Sequence, residues 1–182
     1  MNLKFILYAL MLFFCVQEGA FAMKPGPFED VHYVDPVTKY SVTASAGPTG
    51  TSSREAGPTK VLDDKGKLLW STPDFSGRHE LKLSPDGKIL LFIGNFFFNS
   101  TMQLSPTEQI VAVYEDAKLI KKIIFSDLIK ENPEKLAEQM KIPIMGGGWV
   151  GRSKFIDSIE VNWKARELSF KLYNSETKTI KF

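Results

Sequence analysis

Near neutral pH, acid–base or metal chemistry falls most readily to histidine, and this chain has two, His32 and His79. Each sits in a segment that reads as a β-strand, Val31-His32-Tyr33-Val34 and His79-Glu80-Leu81-Lys82-Leu83. A serine nucleophile needs a histidine within hydrogen-bond reach, and no Gly-x-Ser-x-Gly elbow accompanies either one. A two-histidine metal site needs carboxylate helpers. Glu80 adjoins His79, but consecutive strand residues point to opposite faces, so it cannot help directly. Both histidines are therefore read as ordinary strand residues at matching first-strand positions. The acidic pairs Glu29-Asp30 and Asp63-Asp64 are assigned to turns, where carboxylates bond backbone amides. The glycines at 47, 50 and 57 lack the Lys-Ser/Thr and helix of a phosphate loop, and no calcium loop of alternating Asp or Asn is visible. The sequence implies no cofactor and no metal, and it leans away from an enzyme.

Binding has more residues to draw on. Phe96-Phe97-Phe98 is a triple that one strand face cannot hold, because successive side chains alternate. At least one ring must cap a neighbouring sheet or form an exposed patch. Gly146-Gly147-Gly148-Trp149 allows close backbone approach to a strand, a ring or a ligand. From Ser45 to Pro58 the chain has almost no apolar bulk and reads as a long solvated loop. A cleft lined by Phe96, Phe97, Phe98, Gly147, Gly148, Trp149 and this loop is the expected ligand site. Trp70, in Leu68-Leu69-Trp70, reads as packing with its indole N–H bonded.

Residues Phe5 to Val16 form an unbroken apolar run after Lys4, followed by Ala20-Phe21-Ala22. Spanning a bilayer takes about 20 apolar residues, so residues 1–22 read as a cleaved signal peptide and the product as exported, periplasmic or extracellular. Cys15, the lone cysteine, leaves with that leader, so the mature chain has no disulfide to rely on. Membrane contact is expected only through the leader. Lys4 and Glu18 also leave together, which keeps the net charge at +2. The charges are interspersed without a basic stripe, so a nucleic-acid partner is not expected.

The elements that must position these residues are short strands. Ser84-Pro85-Asp86-Gly87 separates two apolar runs, Leu81–Leu83 and Ile89–Ile93, both read as alternating; proline, aspartate and glycine specify a tight turn there. Asp35-Pro36 and Lys39 take the places of Ser84-Pro85 and Lys88 one unit earlier, at a spacing suited to blade-like β repeats. Strands are expected at 31–34, 40–44, 59–62 and 67–71, then 81–83, 89–93, 109–114 and 118–124, and finally 158–161, 167–173 and 177–182. The units run over 31–72, 79–125 and 153–182 within one domain, 23–182. A helical insert is expected over 126–140, with Ser126 and Asn132 as N-caps and Leu136 and Met140 on one apolar edge.

The Ser84-Pro85-Asp86-Gly87-Lys88 turn between strands resembles those of TolB-like and WD40-like propeller blades. Val111 to Ile120, closed by Phe125 to Ile129 and a later Gly-Trp, resembles uncharacterised secreted β-repeat proteins. The resemblance implies a mainly β chain of antiparallel meander sheets, an incomplete propeller of two to three blades. Its motifs specify turns rather than chemistry. An incomplete blade count leaves sheet edges that proteins usually cover. The expected role is a protein-interaction module, with a protein partner or self-association through those edges. A small-ligand or glycan binder is the first alternative and a hydrolase using a histidine the second.

Overall fold

The computed structural model describes residues 29–47, 56–74, 76–77, 79–94, 106–107, 109–131, 135–136 and 155–182. The protein is mainly β, with three antiparallel sheets that do not close on one another. The first sheet runs in meander order through β1 (Val31–Val34), β2 (Ser41–Ala44), β3 (Thr59–Leu62) and β4 (Leu68–Thr72). The second contains β5 (His79–Leu83), β6 (Ile89–Gly94), β7 (Gln109–Glu115) and β8 (Lys118–Ile124). A one-turn helix, α1 (Phe125–Leu128), follows β8. The third sheet holds β9 (Ile156–Asn162), β10 (Glu167–Leu172) and β11 (Thr177–Lys181).

The middle sheet explains why the others lie where they do. Period-two side-chain geometry separates its residues into two faces. Leu83 pairs with Leu90 and Leu90 with Tyr114, while Leu81 pairs with Phe92 and Phe92 with Ala112. These even-handed rows share a core with Val42, Val61 and Trp70 of the first sheet. On the other face, Ile93, Val111 and Ile123 line up, as do Leu91 and Val113. They share a core with Ile159, Leu168 and Phe170 of the third sheet. The expectation of alternation therefore fails for Ile89–Ile93: all five residues are buried, because covered faces demand apolar residues at every position.

The two outer sheets turn polar rows outward. His32, Thr43, Lys60 and Ser71 align across the first sheet on the side away from its core. A second row there, Val34, Ser41, Leu62 and Leu68, forms an apolar margin. On the third sheet the outward rows are Glu160, Ser169 and Thr179, then Asn162, Glu167 and Lys181. Such surfaces are wetted rather than stacked upon, as at the ends of repeat arrays.

The corners follow the sequence repeat. The amide of Asp35 donates to the Tyr40 carbonyl at 2.8 Å, and that of Ser84 to the Ile89 carbonyl at 2.8 Å. Asp35 Oδ1 accepts from the amides of Val37 and Thr38. Ser84 Oγ instead donates to Asp86 Oδ1 and accepts from the Ile89 amide. With Asp35 aligned on Ser84, His32 falls on Leu81, so the histidines do not occupy matching positions. Asp116 and Ala117 both take positive φ, 45° and 72°, as a two-residue hairpin turn that follows strand twist requires.

The helical insert needs correction. Ile124, not Ser126, is the N-cap of α1; its amide donates to Asp127 Oδ2 at 3.0 Å. Ser126 sits inside the helix with its amide on the Pro106 carbonyl. Lys135 and Leu136 are helical, and Leu136 is buried in the core between the second and third sheets. Asn132 and Met140 lie outside the described residues.

Gly87 is more closely packed than Gly57 or Gly66. Its φ is +71°, and a Cβ there would stand 2.8 Å from the Tyr40 ring and 2.9 Å from Leu69. Its carbonyl accepts the Trp70 Nε1 proton at 2.8 Å, so the turn of the second sheet is pressed into the first. Gly87→Ala adds positive-φ strain and overpacking together, and should cost about 1–3 kcal/mol in denaturant unfolding. Gly66, also at positive φ but with nothing within 4 Å of an added Cβ, should lose only about 1 kcal/mol as alanine.

Candidate functional site

His79 begins β5, half-buried, with its ring 5.6 Å from that of Phe92. Its Nδ1 lies 3.2 Å from the Ser76 carbonyl and 3.0 Å from that of Gly77. Carbonyls only accept, so Nδ1 carries the proton. Burial holds its pKa below the usual histidine value, and the two carbonyls oppose that shift only in part. His32 is exposed on β1 opposite Thr43. The two histidines thus have separate surroundings. Among the described residues no group of three or more His, Cys, Asp or Glu could hold a metal ion.

The acidic pairs divide. Asp63 is a turn former as expected, accepting from the amides of Lys65 and Lys67. Asp30 is not in a turn: it precedes β1, and its Oδ1 accepts from Ser45 Oγ at 3.3 Å and the Ala46 amide at 2.8 Å. That tether, with Gly57 N–H donating to the Ser45 carbonyl at 2.8 Å, draws together the two ends of the 45–58 loop. Beside it lies an open polar cleft of about 290 Å³, lined by Asp30, Thr43, Ser45, Gly57, Pro58 and Lys60. It offers donors and acceptors to a small polar molecule. Phe96, Phe97, Phe98, Gly147, Gly148 and Trp149 lie outside the described residues, as do residues 48–55 of the loop.

Among the polar clasps that join the sheets are two that nothing local in the sequence announces. Tyr114 of β7 donates to Asp74 Oδ2 at 2.5 Å across 40 residues of chain. Burial, then the Asp74 carboxylate, drives the phenol pKa far above its normal value. Arg166, at the corner before β10, meets Glu115 of β7 through two hydrogen bonds of 2.7 and 3.0 Å. The Arg166 bond keeps the Glu115 carboxyl below its usual range. Arg166 also donates from Nε to the Phe182 carbonyl and lies over the Phe182 ring. These are structural clasps rather than reactive groups.

The sheet edges differ from one another. First strands face one another along one side of the stack: Lys82 of β5 donates to the Ile159 carbonyl of β9 at 2.8 Å, and Val31 and Tyr33 of β1 pack on the core that holds Leu81 and Leu83. The last strands, β4, β8 and β11, form the opposite edges. Strand β8 carries Lys118, Lys121 and Lys122, and β11 carries Lys178 and Lys181. Lysines on an edge discourage pairing with another chain. Strand β4, Leu68-Leu69-Trp70-Ser71-Thr72, has no charge at all. Leu68 is 50% exposed and Leu69 43% exposed. Trp70 is buried as expected, with its N–H satisfied.

No protein-family model matches the chain and no curated protein is similar to it. A crystal structure of a eukaryotic initiation factor aligns with 87% of this chain and 33% of that chain, at 13% identity and a TM-score of 0.38. The chain thus spans about a third of that structure's length.

The lowered pKa of His79 has a sign that can be measured. The unfolded chain takes up a proton near pH 6.5 while folded His79 resists it, so stability is complete above that pH and falls as pH drops below it. Asp35 and Asp86, whose pKa values are also lowered in the fold, from 3.8, lose their contributions only in a more acid window. Urea unfolding between pH 7.5 and 5.5 should show this decline in the native chain. His79→Asn keeps an N–H donor for the two carbonyls and should flatten the profile.

Proposed function

We propose that this chain is an exported, non-enzymatic protein-interaction module that takes an added strand on β4. The carrying observation is the contrast in charge between edges: β8 and β11 carry lysines, so that the exposed Leu119 and Ile120 of β8 stand among cations, whereas the exposed Leu68 and Leu69 of β4 stand on an uncharged strand. An extended partner on such an edge gains main-chain hydrogen bonds, and its alternate side chains supply selectivity. Leu68 lies beside Leu62 of β3 on the outward side, which gives an incoming strand apolar contact on one face. Export is part of the proposal and rests on the Phe5–Val16 run and the Ala20-Phe21-Ala22 site; amino-terminal sequencing of the exported product should begin at Met23.

Random peptides displayed on phage and panned against the folded chain should yield extended binders that slow amide exchange at Leu68–Thr72. Leu68→Lys places a charge on a half-exposed site and should leave the Tm within a degree or two. The same substitution should weaken those peptides by about tenfold or more. Binders that protect β8 or the polar cleft, and leave β4 amides unchanged, would remove the basis of the assignment.

A further inference from the structure

We infer that the β8 edge, from Lys118 to Lys122, is a docking ridge for an anionic lipid bilayer, separate from the β4 edge. Strand β8 reads Lys-Leu-Ile-Lys-Lys-Ile-Ile, three cations with no acid among them. Every residue from Lys118 to Lys122 is exposed. Ala112, Val113 and Tyr114 of β7, which pair with Lys122, Lys121 and Leu119, are buried. Strand side chains alternate between faces, so unbroken exposure means that neither outer sheet covers this stretch. The outer sheets stop at β7, and β8 stands out between them as a rim.

The chemistry of the rim selects its occupant. Leu119 is 41% exposed and Ile120 39% exposed, with Lys118 before them and Lys121 and Lys122 after. Among the described residues none of these three lysines is in an ion pair. Of the acids beside the strand, Glu115 is held by Arg166 and Asp116 lies in the hairpin turn. An added strand fits poorly, because lysines and a bulge both blunt an edge. Lys121 pairs with Val113 and Leu119 with Tyr114, which leaves Ile120 as the extra residue of such a bulge. A soluble polyanion would meet the lysines and leave two aliphatic side chains in water. A bilayer with anionic headgroups meets both: the ammonium groups reach phosphates while the lysine stems and the aliphatic groups enter the acyl boundary. This contact belongs to the folded chain and is additional to that of the leader.

Vesicles of phosphatidylcholine with about one-third phosphatidylglycerol should float the mature chain in a density gradient, and phosphatidylcholine vesicles should not. Salt on the order of 1 M, where the Debye length is about 3 Å, should release most of it. Lys121→Gln combined with Lys122→Gln should weaken binding by about 25-fold, at about fivefold per lysine, with an unchanged Tm. Leu119→Asn should weaken it by about tenfold. The mature chain has no cysteine of its own, so an environment-sensitive dye on Ile120→Cys should shift to the blue on anionic vesicles. The same dye on His32→Cys should not. A chain that ignores anionic vesicles, or binds them with the Ile120 dye still in water, would overturn the ridge. Binding indifferent to Leu119→Asn but strong toward soluble poly-glutamate would make the occupant an acidic chain and overturn the bilayer. Peptide addition at β4 is read separately, by exchange at Leu68–Thr72, and stands or falls apart from these results.

Discussion

Everything in this fold depends on the middle sheet being buried on both faces. Leu90, Phe92, Ala112 and Tyr114 look toward the first sheet, and Leu91, Ile93, Val111 and Val113 toward the third. Each buried aliphatic or aromatic side chain of this kind contributes about 1.5–3 kcal/mol of transfer free energy, and neither face could be left in water. The flanking sheets are therefore required, and each is obliged to be apolar on one side only. The one-sided sheets then close off the core without any ring of blades.

The clasps between sheets are polar at their margins and apolar inside. Trp70 reaches across to the Gly87 carbonyl, Tyr114 to Asp74, Arg166 to Glu115 and Lys82 to the Ile159 carbonyl. The Trp70 bond satisfies a buried donor, and an unsatisfied buried donor costs about 1–3 kcal/mol. The clasps tie neighbouring sheets together through residues far apart in the chain. That Gly87 must lack a side chain follows directly: the corner carrying it is the contact.

With two outward faces polar, unmet backbone hydrogen-bonding capacity collects at the strand edges. On β8 and β11 it is guarded by lysine. On β4 it is not, and the neighbouring residues Lys65, Lys67 and Asp74 place opposite charges at the two ends of the strand. An edge of this kind is a liability in isolation and an asset in an assembly.

Much of the architecture is legible in the residues themselves. Asp35-Pro36 and Ser84-Pro85-Asp86-Gly87 bend the chain through local bonds, so the corners and the meander order need no tertiary information. Three things were not legible. Ile89–Ile93 reads as one strand of a half-buried sheet until a third sheet is known to cover its far side. Glu115 and Arg166, 51 residues apart, carry no sign of their pairing, because an ion pair has no sequence period. The standing of β4 as an edge was equally hidden: Leu68-Leu69-Trp70 has the composition of an interior strand, and only the order of strands in space leaves its leucines in water. Sequence decides what a segment can do within reach of its own backbone; which surfaces remain uncovered is settled by packing among segments far apart in the chain.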